Sequence, residues 1–244
     1  MTLHRKTQFK LIRAACLLQT KIQRITSNKD GVAAVEFALL LPVMLILYIG
    51  TAELTTGLMA NRKMTLVART VSDLIAQETD ETVGISNTTL TNIYNAASGI
   101  MSPFTITPLK IAASSIRFVP KNGAPSNNPQ YKAMTVWTIG NKSGVTKRPC
   151  GTTAITQVSN STKPTTTTMP AGLYQSGSVI VADVEYVFTP NFGGAFLSWS
   201  STESLITMKH TTYMKPRTQD EVKYSPGTPL TNATICNPAP PASW

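Results

Sequence analysis

The stretch 29-KDGVAAVEFALLLPVMLILYIGTAEL-54 decides the fold. Residues 32–52 form an apolar run whose only charge is Glu36. As a helix rising about 1.5 Å per residue it spans about 31 Å, the thickness of the hydrocarbon layer of a bilayer. Pro42 removes one backbone bond, to Ala38, and membrane helices tolerate that loss. Gly50, Ala52 and Gly57 leave a smooth strip suited to a neighbouring helix. A carboxylate in lipid costs at least a few kcal/mol and marks function. Glu36 therefore needs an explanation, and so does its place just after Lys29-Asp30-Gly31.

Charge distribution supplies part of it. The 244 residues carry a formal net charge of +10. Residues 1–30 hold seven basic side chains (Arg5, Lys6, Lys10, Arg13, Lys21, Arg24, Lys29) against Asp30, a net of +6. The remainder has 15 basic and 11 acidic residues, a net of +4. A basic segment ahead of a spanning helix is a topology signal: it keeps the N-terminus in the cytoplasm and sends the C-terminal body across. The basic residues lack the aromatic interleaving of a nucleic-acid platform, so no nucleic-acid partner is expected.

Three readings of the run stand open. A secretory signal would be cut near Gly50-Thr51-Ala52, but the long basic segment and Glu36 speak against it. An uncleaved single-pass anchor is the default. The third is a leader, residues 1–31, removed on the cytoplasmic side after Gly31. Gly31-Val32-Ala33-Ala34-Val35-Glu36-Phe37 is glycine, four residues, glutamate and an aromatic ring, followed by an apolar run. This is similar to the prepilin peptidase site of type IV pilin-like proteins. A cut there makes Val32 the first residue and Glu36 the fifth. The α-ammonium of Val32 on a neighbouring subunit then becomes the counter-charge of Glu36, and the pair sets axial register.

The helical period continues beyond the membrane. Met64, Val67, Val71, Leu74 and Ile75 extend the line begun by Leu54 and Leu58, so one helix is expected over 32–77. Residues 78–88 read as a polar loop and 88–101 as a short helix stopped by Ser102-Pro103. Strands follow at 111–119, 131–139, 178–188 and 205–215. Turn-rich breaks at 120–129, 140–151 and 160–172 separate them, the Thr/Pro tract 160–172 reading as an exposed mobile loop. Residues 225–244 are Pro-rich and read as extended over the surface. The fold class is α+β: a pilin-like long N-terminal transmembrane helix and a small antiparallel sheet, within an extracytoplasmic domain over 78–244.

Chemical motifs are sparse. Of two histidines, His4 lies in the leader and His210 stands alone on a strand, with no nucleophile motif near it. Asp183 and Glu185 share one strand face, which reads as a solvated surface rather than an acid–base pair. An enzyme would need His210 next to one of them in a cleft. No metal set or phosphate loop is present, so neither cofactor nor metal is expected. Beyond the membrane the chain has two cysteines, Cys150 and Cys236; in an oxidising compartment such a pair points to a disulfide, with two unpaired thiols as the alternative.

Residues 31–42, GVAAVEFALLLP, resemble the start of the TadE/TadG-like pseudopilins of the tight-adherence (Flp, type IVc) pilus system. Gly50-Thr51-Ala52-Glu53 is similar to that family's Gly-x-x-Glu segment, which makes Glu53 a second helix carboxylate to weigh. Looser likenesses follow in VIVADVEYVFTP (179–190) and in Tyr213-Met214-Lys215-Pro216-Arg217. Phe37 stands where many members have Tyr. The length fits TadE-like members rather than TadG forms with an added von Willebrand-type domain. The resemblance implies a minor pseudopilin of the bacterial inner membrane, cut by a prepilin peptidase between Gly31 and Val32. Its expected partners are other pilins or pseudopilins and the pilus assembly platform, and its implied role is surface attachment. The alternative is an uncleaved, membrane-anchored binding module whose candidate surface is the Thr/Pro loop with the face of Val181, Asp183 and Glu185.

Overall fold

The computed structural model describes residues 30–80, 82–122, 130–151, 155–191, 205–225, 232–236 and 243. The expected basic leader, apart from Asp30 and Gly31, lies outside the described residues, as do most of the 120–129 turn and most of the Pro-rich tail. In chain order the elements are α1 (Asp30–Ala76), β1 (Ile85–Ser86), α2 (Asn87–Ile100), β2 (Lys110–Pro120), β3 (Tyr131–Gly140), β4 (Thr156–Val158), β5 (Thr168–Pro170), β6 (Gly177–Phe188), β7 (Ile206–Met214), β8 (Tyr224–Ser225) and β9 (Ala233–Ile235). The chain divides into two compact units, Met1–Leu54 and Thr55–Trp244. The architecture is α+β.

The described part of the first unit is helical throughout. Its 18-residue apolar window has a mean hydropathy of 2.5 and none of it is buried. Pro42 sits inside the helix without ending it. Apolar side chains left in water at this density are unstable, so the segment fits a single-pass membrane anchor.

In the second unit the remainder of α1 lies on a five-stranded antiparallel sheet of order β7-β6-β2-β3-β9. Ala60, Met64, Val67, Ala68, Val71 and Ile75 are fully buried, one face at helical spacing. Each buried Val, Ile or Met side chain contributes about 1.5–3 kcal/mol relative to exposure. Leu74, expected on that face, is 37% exposed, and Leu54 and Leu58 are exposed as well. Ala60 and Ala68 complete the buried face instead. Gly57 faces the sheet as well: a Cβ there would lie 3.6 Å from the Phe188 ring, an ordinary van der Waals distance. That ring takes up Gly57, so the smooth strip expected for a neighbouring helix does not extend to it.

The short helix α2 begins where Ser86 Oγ accepts from Thr89 N–H at 3.2 Å. It buries Leu90, Ile93, Tyr94 and Ala97 in the same core. Lys63 Nζ donates to the Ile100 carbonyl at 3.0 Å, a cation at the helix C-terminus. Tyr94 Oη donates to the Ile139 carbonyl at 2.9 Å, tying α2 to β3.

The other sheet face carries a second, smaller core of Ile116, Phe118, Ala133, Val179 and Val181, covered by Ile155 and Met169. The Thr/Pro tract is therefore not a free loop. Met169 is fully buried, β5 pairs with β4, and Asn160 Oδ1 accepts from Gly172 N–H at 2.7 Å. The tail also differs from a simple surface extension: β9 adds the fifth strand beside β3. Pairing jumps from Ser115↔Trp137 to Ile116↔Thr135, leaving Val136 as the extra residue of a bulge. Its carbonyl accepts from Cys236 N–H at 3.0 Å. Cys236 and Cys150 are joined by a disulfide that closes a sequence separation of 86 residues.

Candidate functional site

Two regions carry the candidate residues, one in each unit, and they are built differently. In the first, Gly31, Val32, Glu36 and Phe37 occupy the opening turns of α1. The Gly31–Val32 bond lies among the first described residues of α1. All four residues are exposed, with Val32 at 65% and Phe37 at 61%. A Cβ at Gly31 would meet nothing within 4 Å, and the same holds at Gly50. Glu53, nearly five turns beyond Glu36 at about 3.6 residues per turn, is half-buried. The apolar helix thus opens with a glycine and an aromatic ring flanking one carboxylate.

The second region lies on the sheet. Asp183 and Glu185, expected on a solvated face, are each bound into ion pairs. Arg148, with its side chain fully buried, donates through Nε to Asp183 Oδ2 at 2.7 Å and through Nη2 to Oδ1 at 3.0 Å. Thr211 Oγ1 donates to Oδ1 at 2.7 Å. This two-pronged geometry is the strong form of the pair. Glu185 sits between Lys110 Nζ at 3.1 Å and Lys209 Nζ at 3.0 Å. Burial works to raise the Glu185 pKa, but hydrogen bonds from Lys209 and Lys110 outweigh it and hold the carboxyl below its ordinary value. Beside Arg148, burial pushes the Tyr213 phenol up to about 12.

Asp183, Glu185, Lys110, Lys209 and Thr211 border a groove of about 510 Å³ that is also lined by Lys163, Pro164, Thr165 and Thr166. His210 also borders it. In the register of β6 and β7, Thr211 faces Asp183, Lys209 faces Glu185 and His210 faces Val184. Alternation puts the imidazole on the sheet face opposite the two carboxylates. The His–carboxylate partnership that an enzyme would need is not formed. The His210 pKa is lowered, first by burial and then by the positive Arg69 and Lys163. Among the described residues no group of three His, Cys, Asp or Glu side chains is placed to hold a metal ion.

Sequence reasoning named Asp183 and Glu185 but missed Arg148, Lys110, Lys209 and Lys163. A lone basic residue in a turn-rich segment carries no signal of its partner. The register of β2, β6 and β7 brings Lys110 and Lys209 to Glu185, while Arg148 reaches Asp183 from the segment after β3 and Lys163 borders the same groove without pairing to either carboxylate.

A long apolar helix leading into an antiparallel-sheet domain defines a helix-anchored α+β protein. Residues 31–73 match the family model described as TadE-like protein, so the resemblance read from the start of the helix holds across that segment. The matched segment lies within α1 and contains Gly31, Val32, Glu36, Phe37 and Glu53. No curated protein and no solved structure matches the chain.

Proposed function

We propose that this protein is a minor TadE-like pseudopilin that supports assembly or initiation of tight-adherence pili and, through them, surface attachment. The observation that carries the reading is the TadE-like match on a helix whose first turns hold Gly31, Glu36 and Phe37 ahead of an exposed apolar span. In this reading a prepilin peptidase cuts between Gly31 and Val32 on the cytoplasmic side. Residues 1–31 form its leader, 32–77 the helix that crosses the bacterial inner membrane, and 78–244 the periplasmic domain. The basic residues ahead of the helix support this orientation. The Cys150–Cys236 disulfide is consistent with an oxidising compartment on the far side.

After cleavage the Val32 α-ammonium becomes the charge that Glu36 lacks within its own apolar segment. Pairing across two subunits removes both charges from lipid and sets the stagger between helices. Glu53, near the outer end of the span, is the second carboxylate available to a neighbour. The partners are other pilins or pseudopilins and the assembly platform.

The test is the mature N-terminus of protein isolated from its native host. Sequencing that begins at Val32 supports processing; a chain still beginning at Met1 refutes it and leaves the uncleaved anchor with an extracytoplasmic binding domain. Separately, Glu36→Ala is expected to be cut yet to leave cells without pili. Normal piliation in that variant removes the register role.

A further inference from the structure

We propose that the groove between β7 and residues 163–166 is a binding site for an acidic saccharide, whose carboxylates are held by Lys163, Lys209 and Lys110 and whose hydroxyls are held by the rim threonines. The inference is independent of whether the helix is processed.

Charge is the first argument. Both carboxylates in the groove are already neutralised, Glu185 by Lys110 and Lys209 and Asp183 by the buried Arg148. Four cations stand against two carboxylates, leaving a net of +2 on this patch. Lys163 takes part in none of the ion pairs among the described residues. The Lys209 side chain is 64% exposed, so its ammonium stays open to a ligand while it touches Glu185. Such a groove attracts anions and repels cations.

The lining decides between kinds of anion. Thr165, Thr166, Thr207 and Thr146 add hydroxyls that both donate and accept. Val145 and Val184 are the large aliphatic side chains of the lining, which includes no Trp, Tyr or Phe. A protein partner is usually held by a buried aromatic or apolar anchor, and this lining has no pocket for one. Many hydroxyls beside a few cations suit a hydroxylated, carboxylated ligand. The volume, about 510 Å³, lies within the ordinary range for small-ligand sites and accommodates a short oligosaccharide.

The 163–166 segment is also pre-formed. Thr165 N–H donates to Thr168 Oγ1 at 2.8 Å, and the segment leads directly into β5 with the fully buried Met169. Little ordering entropy is then lost on binding.

The experiment is calorimetric titration of the full chain in detergent micelles with trigalacturonate, its neutral methyl ester, a hexaglutamate peptide and inorganic phosphate. Saturable binding of trigalacturonate is expected, at least about tenfold tighter than the ester or phosphate, since a charge-assisted hydrogen bond contributes about 1.5–3 kcal/mol. Lys163→Glu is expected to weaken it about tenfold by replacing attraction with repulsion, with Lys163→Gln falling between. Lys163 is exposed, so both variants should keep the urea midpoint of the parent chain. Four results overturn the proposal: no saturable binding, equal affinity for acid and ester, full affinity in Lys163→Glu, or tighter binding of hexaglutamate than of the saccharide.

Discussion

Arg148→Met is the substitution that tests most directly how the sheet domain is held together. The guanidinium is fully buried and makes two hydrogen bonds to Asp183, whose side chain is 11% exposed. Methionine retains much of the aliphatic volume but leaves a nearly buried carboxylate with Thr211 as its remaining side-chain donor. Removing one partner of a buried pair costs about 3–5 kcal/mol, because the other charge stays desolvated. Asp183→Leu strands the guanidinium and should cost a similar amount. The double variant, with neither charge left, should cost no more than either single one, giving strong non-additivity in the cycle. Urea denaturation of the full chain in micelles, followed by tryptophan fluorescence, reads all four stabilities; Trp137 is buried and donates to the Val222 carbonyl at 2.8 Å, so it reports on this core. A cost below about 1 kcal/mol for Arg148→Met, or additive costs in the double variant, would refute the reasoning. Either result would mean that water reaches the pair freely and that the 141–150 segment is held by other contacts.

Three further expectations follow from the same domain. Cys236→Ser should lower stability by about 4–5 kcal/mol through loss of the 86-residue closure, and reductant should shift the urea midpoint of the parent chain but not of the variant. Gly84→Ala should cost about 1–3 kcal/mol in backbone strain alone, because φ is +74° and a Cβ would lie 2.4 Å from the Lys223 carbonyl oxygen; a thermal melt unchanged from the parent chain would contradict it. His210 has a folded pKa below its ordinary 6.5, so the unfolded chain binds its proton first as pH falls. Its contribution to stability is thus present above pH 6.5 and declines as pH drops through the lowered value, and His210→Gln should flatten that part of the stability–pH profile.

How much of this was legible in the sequence depends on the range over which each signal acts. The α1 helix and the alternation of β6 are local patterns, and both are found where periodicity put them, Asp30–Ala76 and Gly177–Phe188. Leu74 shows the limit of periodicity: a leucine next to the buried stripe looks like part of it, yet it is 37% exposed while the smaller Ala60 and Ala68 are fully buried. The Thr/Pro tract failed for a different reason. Its composition describes the exposed threonines correctly but hides one buried methionine, Met169, that fixes the whole segment over the second core. The carboxylates of β6 failed for a third. Asp183 and Glu185 look solvated because nothing near them in sequence is basic, whereas Arg148, Lys110 and Lys209 reach them across 35, 75 and 24 residues of chain.

The helix motif is different again. Glycine, glutamate and aromatic ring sit within seven residues, so the candidate processing site needs no tertiary contact to be seen. The groove is lined by residues of β2, β6 and β7 together with those of two loops, 145–146 and 163–166. A site written into about two helical turns can be read from local sequence, while the groove must be kept by the fold. If the two regions act separately, Glu36→Ala should leave saccharide binding unchanged and Lys163→Glu should leave processing at Gly31 unchanged. Loss of both functions in either variant would show that the helix and the sheet domain work as one device.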